Sequence, residues 1–156
     1  MKPLDAVDKE LLRLLQNDAE IPVGQLAEAV NLSSSPCWRR VQRLKDEGYI
    51  TRQVALLDPH KLNLGITVFV SIRTNQHSDA WFDKFNAGVT AIPEVVEFYR
   101  MSGDVDYLLR VVVPNIAAYD SVYHRLIRCC ELFDVSSSFA MEQLKFTTAL
   151  PLNYID

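Results

Sequence analysis

The segment Ser33–Gly48, SSSPCWRRVQRLKDEG, constrains the fold more than any other stretch of the chain. Spaced at 100° per residue, Cys37, Val41 and Leu44 fall on one stripe of a helix, and Arg39, Gln42 and Arg43 on the opposite face. Ser35 is expected to cap this helix, with Pro36 at its first position, where a missing N–H costs nothing. Gly48 supplies the stop. Arg39, Arg40, Arg43 and Lys45 all precede the first acid, Asp46. Such a helix must bury its narrow apolar stripe against neighbours and leave a cationic face open.

The neighbours lie upstream. A first helix is expected from Asp5 or Ala6 to about Gln16, with Leu4, Val7, Leu11, Leu14 and Leu15 inward and Asp8 and Lys9 outward. Beyond Pro22, a second helix from Val23 to Val30 buries Leu26, Ala27 and Val30, and Asn31-Leu32-Ser33 turns the chain. Three short helices with a basic third one form the layout of a helix-turn-helix, whose last helix enters a DNA groove. The basic charge is local, because the chain carries a net charge of −4 and residues 1–60 hold 8 Lys and Arg against 9 Asp and Glu. Affinity grows with the number of phosphates neutralised, so one such helix binds weakly and a dimer or larger assembly is expected.

The pattern then changes. Tyr49 to Leu57 reads as extended, Asp58-Pro59 breaks it, and the stretch to Gly65 reads as a linker. Strands are expected over 66–73, 95–101, 107–113 and 135–146, with helices over 78–91 and 116–129. That order, β-α-β-β-α-β, is a ferredoxin-like unit. The expected fold is therefore α+β. A winged-helix-like helix-turn-helix domain (1–52) joins, through a hinge strand and linker (53–64), a ferredoxin-like domain (65–156) for ligand sensing and oligomerisation.

Other classes are disfavoured. The first ten residues hold no apolar run of the signal-peptide kind, and no stretch approaches the roughly 20 apolar residues of a membrane helix. A cytoplasmic protein with no membrane partner is expected. The three cysteines form no C-x-x-C pair, and His60, His77 and His124 are scattered, so reduced thiols and no metal site are expected.

The chain resembles the Lrp/AsnC, or feast/famine, family of transcriptional regulators over nearly its whole length. The resemblance runs through Leu4-Asp5, Asp8, Leu11, Leu15-Gln16, Leu26-Ala27, and the run from Ser33 to Arg43-Leu44, Gly48 and Ile50. It continues in Pro93-Glu94-Val95, Gly103-Asp104-Val105-Asp106-Tyr107-Leu108-Leu109, Ser137-Ser138-Phe139 and Thr147-Thr148-Ala149-Leu150-Pro151-Leu152. It implies a sequence-specific DNA-binding regulator that dimerises through its α/β domain and assembles further, into octamers or similar rings. It also implies a small effector, typically an amino acid, bound between subunits, and no resident cofactor. Two departures stand out: Glu20, where relatives often carry Arg, and Leu132-Phe133-Asp134-Val135, where many have a Pro-Gly-Val turn. The second lies near the effector region, so effector identity does not carry over.

The DNA-binding candidates are Ser33, Ser34 and Ser35, donors to phosphate oxygens, with Trp38, Arg39, Arg40, Gln42 and Arg43. Arg suits guanine and Gln adenine. The effector candidates are Met101, Gly103, Asp104, Asp106 and Tyr107, with Ser136, Ser137 and Ser138. A buried zwitterion needs both an acid for its ammonium and N–H groups for its carboxylate. The alternatives are an architectural DNA protein without an effector, and an enzyme using Asp104, Asp106, His124 and the cysteines, which lack any nucleophile–base or metal spacing.

Overall fold

The computed structural model of the chain describes residues 3–155, so the expected domain ends at Met1, Lys2 and Asp156 lie outside the described residues. Two compact units emerge, 1–56 together with 145–156, and 57–144. The last dozen residues thus belong with the N-terminal unit, whereas the sequence placed them in the ferredoxin-like domain.

The N-terminal unit holds α1 (Ala6–Leu15), α2 (Val23–Ala29) and α3 (Ser34–Asp46). Leu4, Leu11, Leu26, Ala27, Val30, Cys37, Val41 and Leu44 form its core. Asn31 makes the turn between α2 and α3 in the left-handed region, at φ 54°, a conformation its short polar side chain tolerates. Gly48 ends α3 at φ 80°, where any Cβ is strained. The cap differs from expectation. Ser33 is the N-cap and Pro36 stands third in the helix, still within the first turn, where N–H groups have no intrahelical partner.

The second unit begins after an extended stretch. Residues 51–58, where the hinge strand was expected, form no strand within the chain. A strand requires a neighbour to complete its ladder, and here none is supplied. Val54, Leu56 and Leu57 stay exposed.

The sheet consists of β1 (Ile66–Arg73), β2 (Val95–Arg100), β3 (Tyr107–Val113) and β4 (Asp134–Phe139), interleaved with α4 (Asp79–Thr90) and α5 (Ile116–Cys129). Its order is β2-β3-β1-β4 with all pairs antiparallel, the ferredoxin-like arrangement. Period-2 alternation turns Val68, Val70 and Ile72 of β1 and Tyr107, Leu109, Val111 and Val113 of β3 toward the helices. There they meet Phe85 and Val89 of α4 and Tyr119, Val122 and Leu126 of α5. Ser78 caps α4 by accepting from the Trp81 N–H, and Asn115 caps α5 by accepting from the Ala118 N–H.

β4 ends at Phe139, not at Phe146 as the apolar pattern suggested. Its register pairs Phe139 with Val68, and the Ala140 N–H reaches the Thr67 carbonyl at 2.9 Å. β1 begins at Ile66, so at most one further residue could find a partner there. No helix among the described residues is long and apolar enough to cross a membrane.

Candidate nucleic-acid interface and ligand region

The side chains of α3 divide three ways. Cys37, Val41 and Leu44 face the core, as their spacing predicts. Ser33, Ser34, Ser35, Trp38 and Arg39 are exposed, Trp38 at 55 %. Gln42 is half-buried beside them. Ser33 makes no side-chain capping bond, which leaves its hydroxyl and the first helical N–H groups open to an outside acceptor. Ser34, Ser35, Trp38 and Arg39 line an open depression with Val23 of α2. Arg39 makes no ion pair among the described residues.

Arg40 and Arg43, both expected among the DNA-binding residues, are instead ion-paired within the unit. They lie on the flank toward α1. Arg40 Nη1 donates to Asp5 Oδ2 at 2.6 Å and to Asp8 Oδ1 at 2.9 Å, while Arg43 Nη2 donates to Asp8 Oδ2. Asp8, expected in solvent, is completely buried. It also closes a capping box: the Asp8 N–H donates to Asp5 Oδ1 at 2.9 Å and the Asp5 N–H to Asp8 Oδ2 at 3.2 Å. A buried carboxylate survives only when paired and hydrogen-bonded, and both guanidiniums are spent on that task.

The Asp8 N–H, followed by the Arg40 guanidinium, holds the Asp5 carboxyl down to about 2. The Asp5 and Asp8 carboxylates raise Arg40, and Asp8 raises Arg43. The signal for this knot was present in the sequence as Asp5-x-x-Asp8 at a helix start. Helical periodicity alone missed it, since it grades Asp as outward wherever it falls.

The expected effector residues are likewise separated. Tyr107 is a core side chain, packed against Phe85, Phe98 and Trp81. The Asp106 carboxylate accepts the Thr74 N–H at 2.7 Å, and its own N–H and carbonyl tie the loop to Ile72 and Met101. Alternation splits the serine triplet. Ser137 sits opposite Val70 on the helix-packed face, its hydroxyl bonded to the Tyr119 hydroxyl, whereas Ser136 and Ser138 lie opposite Ser71 and Phe69 on the open face. Tyr107, Asp106 and Ser137 thus have structural occupations. Met101, Gly103, Asp104, Ser136 and Ser138 remain exposed.

The open face presents Phe69, Tyr99, Leu108 and Val112 around the cross-strand pair Glu97–Arg110, bonded at 2.7 Å from Arg110 Nε. The Arg110 guanidinium keeps the Glu97 carboxyl below the usual range.

The cysteines are occupied structurally. Cys37 is buried in the N-terminal core, which raises its thiol. Burial, with Cys130 adjacent, pushes the Cys129 thiol up to about 11, the opposite of what a thiolate sensor requires. No group of three His, Cys, Asp or Glu among the described residues is arranged to hold a metal ion.

Comparison with known proteins agrees with this architecture. Residues 4–51 match the winged helix-turn-helix DNA-binding family model, and residues 67–150 match the Lrp/AsnC ligand binding domain. The chain is 51 % identical over 150 residues to the DNA-binding transcriptional activator DecR of Escherichia coli, covering 96 % of this chain and 99 % of that one. It is 48 % identical over 152 residues to the glutamate uptake regulatory protein of Zymomonas mobilis, covering 97 % and 93 %. Among solved structures, an AsnC family transcriptional regulator from Agrobacterium tumefaciens superimposes with a TM-score of 0.94 at 59 % identity, covering 97 % and 99 %. A transcriptional regulator from Neisseria meningitidis in complex with L-methionine does so at 0.91 and 36 %, covering 96 % and 97 %. With a helix-turn-helix whose third helix presents an unpaired arginine, a ferredoxin-like ligand-binding unit, and relatives matched end to end in both, the chain belongs to the Lrp/AsnC family of transcriptional regulators.

Proposed function

We propose that the protein binds double-stranded DNA through Ser33, Ser34, Ser35, Trp38, Arg39 and Gln42, with α3 in the major groove. The observation that carries this surface is Arg39, exposed at the rim of an uncapped helix N-terminus while its neighbours Arg40 and Arg43 are neutralised by Asp5 and Asp8. The serine hydroxyls and open N–H groups suit phosphate oxygens, and Arg39 suits a base edge or a phosphate. Arg39→Ala should weaken binding to duplex DNA by about 1–3 kcal/mol, roughly 5- to 150-fold, and flatten its salt dependence if the contact is to phosphate. Affinity equal to wild type in a gel-shift titration rules this surface out.

The working unit in this reading is a homodimer, assembling further into rings such as octamers. One α3 carries little uncompensated charge, and doubling it raises affinity through multivalency. The open sheet face and the unpaired hinge are the surfaces a second copy would cover. Such a regulator works beside the chromosome, which places it in the cytoplasm.

The effector is an amino acid in this reading, the class bound in the Neisseria relative. Asp104 would meet the ammonium and the Gly103 N–H the carboxylate, with Met101, Ser136 and Ser138 nearby. A thermal-unfolding screen against the common amino acids distinguishes this from the architectural alternative. A ligand at about 100 times its dissociation constant stabilises by roughly 2.7 kcal/mol. A shift confined to one chemical group of amino acids supports sensing, and no shift with any favours an effector-independent protein.

A further inference from the structure

The chain after β4 leaves the sheet unit and ends on the DNA-binding unit. Residues 145–156 cluster with 1–56, and the described contacts are specific. The Gln16 amide makes two reciprocal bonds to the Leu150 backbone: Nε2 donates to the Leu150 carbonyl at 3.1 Å, and Oε1 accepts the Leu150 N–H at 2.9 Å. Lys9 Nζ donates to the Ile155 carbonyl at 2.6 Å. Between these two anchors lies a 3₁₀ turn, Leu152–Tyr154, and Ile155 packs against the N-terminal core. Residues 141–148 are all exposed, and α1 then captures the segment that follows them.

The helix that holds this segment also holds α3. Lys9 and Gln16 reach the C-terminal segment, while Asp8, one residue from Lys9, is clamped by Arg40 and Arg43. From strap to recognition helix there is one rigid element, α1, and a buried ion-pair knot. Packed side chains, ion-pair networks and rigid helices of this kind carry energetic coupling between sites.

We propose that residues 150–155 form a strap on α1 that anchors the DNA-binding unit to the ligand-binding unit by a second chain connection, and that release of the strap weakens DNA binding without touching a DNA contact. The inference rests on the DNA-binding reading above. With the 53–64 hinge and linker as its single connection, the DNA-binding unit is less constrained, so two copies engage one duplex at a lower effective concentration. A second tether narrows that freedom, and ordering a tether in advance raises avidity with no new contact.

The test uses the full chain carrying Lys9→Met and Gln16→Ala, two good helix formers that preserve α1, and a second variant truncated after Thr148. Each is compared with wild type and with Arg39→Ala on a mixed-sequence duplex of about four helical turns. Amide hydrogen exchange supplies the independent readout.

The expected result has several parts. In wild type the Leu150 amide is protected relative to residues 142–148, and in the double variant that protection is lost while the sheet amides are unchanged. Both variants bind DNA about tenfold more weakly, a partial loss of the roughly 10²–10⁴-fold that avidity can supply, at an unaltered salt slope. Arg39→Ala instead weakens binding through the contact itself. A Leu150 amide that exchanges as fast as its exposed neighbours overturns the strap, as does wild-type DNA affinity in both released variants. Undiminished binding by Arg39→Ala, with the Leu150 protection intact, marks the failure of the DNA surface and takes the strap's role with it.

Discussion

Asp8 is the residue whose environment departs furthest from its chemistry. A carboxylate with no solvent exposure is tolerable because two guanidiniums and the Asp5 N–H surround it. Asp5 sits at the rim of the same knot, and its carboxyl, ordinarily near 3.8, is held at about 2 by the Asp8 N–H and Arg40. Because the folded value lies below the unfolded one, Asp5 contributes stability that is complete above about pH 4 and lost as pH falls toward 2. Asp5→Asn keeps the cap but removes the charge, so the variant should lose part of the acid sensitivity of the N-terminal unit between pH 4 and 2. Urea titrations at those two pH values measure this; an unchanged pH dependence refutes it. Sequence reasoning reached the arginines of α3 but assigned all of them one role. Which arginine stays free of an ion pair depends on where the acids of another helix fall, and spacing within α3 does not record that.

Among the elements, α4 and α5 are set by one close approach. A Cβ on Gly88 would lie 2.6 Å from Cys129 Cβ and 3.3 Å from its sulfur. Gly88→Ala should therefore cost about 1–3 kcal/mol despite the better helix propensity of alanine. Adding Cys129→Ala should recover little, because the tightest contact is to the Cβ that alanine retains. A double variant restored to wild-type stability in thermal unfolding excludes the close-packing account. The helices themselves were legible, α5 over the very span its periodicity predicts and α4 to within a residue at each end. The glycine in α4 carried a packing meaning that became visible only against Cys129. β4 shows the converse: its apolar pattern continues to Phe146, but the ladder ends at Phe139, opposite Val68 near the start of β1.

At the scale of the whole molecule, the described residues form two cores that share no buried residue. Damage to one should stay local. Asp8→Asn leaves Arg43 without its anionic partner and should destabilise the N-terminal unit by about 3 kcal/mol, a fall of roughly 12–24 °C in its melting temperature for a unit of this size. The two tryptophans divide between the units, Trp38 on α3 and Trp81 stacked on Phe85 of α4 at 4.9 Å. Single-tryptophan variants can therefore follow each unit. The Trp38 transition should drop while the Trp81 transition holds, and an equal drop in both would show that the units unfold as one.

Much of this protein follows from local sequence. Periodicity and turn residues determined the three helices, the β-α-β-β-α-β order and the outward face of Arg39, because each depends on neighbours within a few positions. The tertiary structure alone decided the rest: the burial of Asp8, the pairing of Arg40 and Arg43 with Asp5 and Asp8, the bond between Ser137 and Tyr119, and the docking of Leu150–Ile155 on α1. Each of these pairs residues at least 18 positions apart. A charge or a carbonyl finds its partner through space, and the chain's local pattern holds no term for that distance.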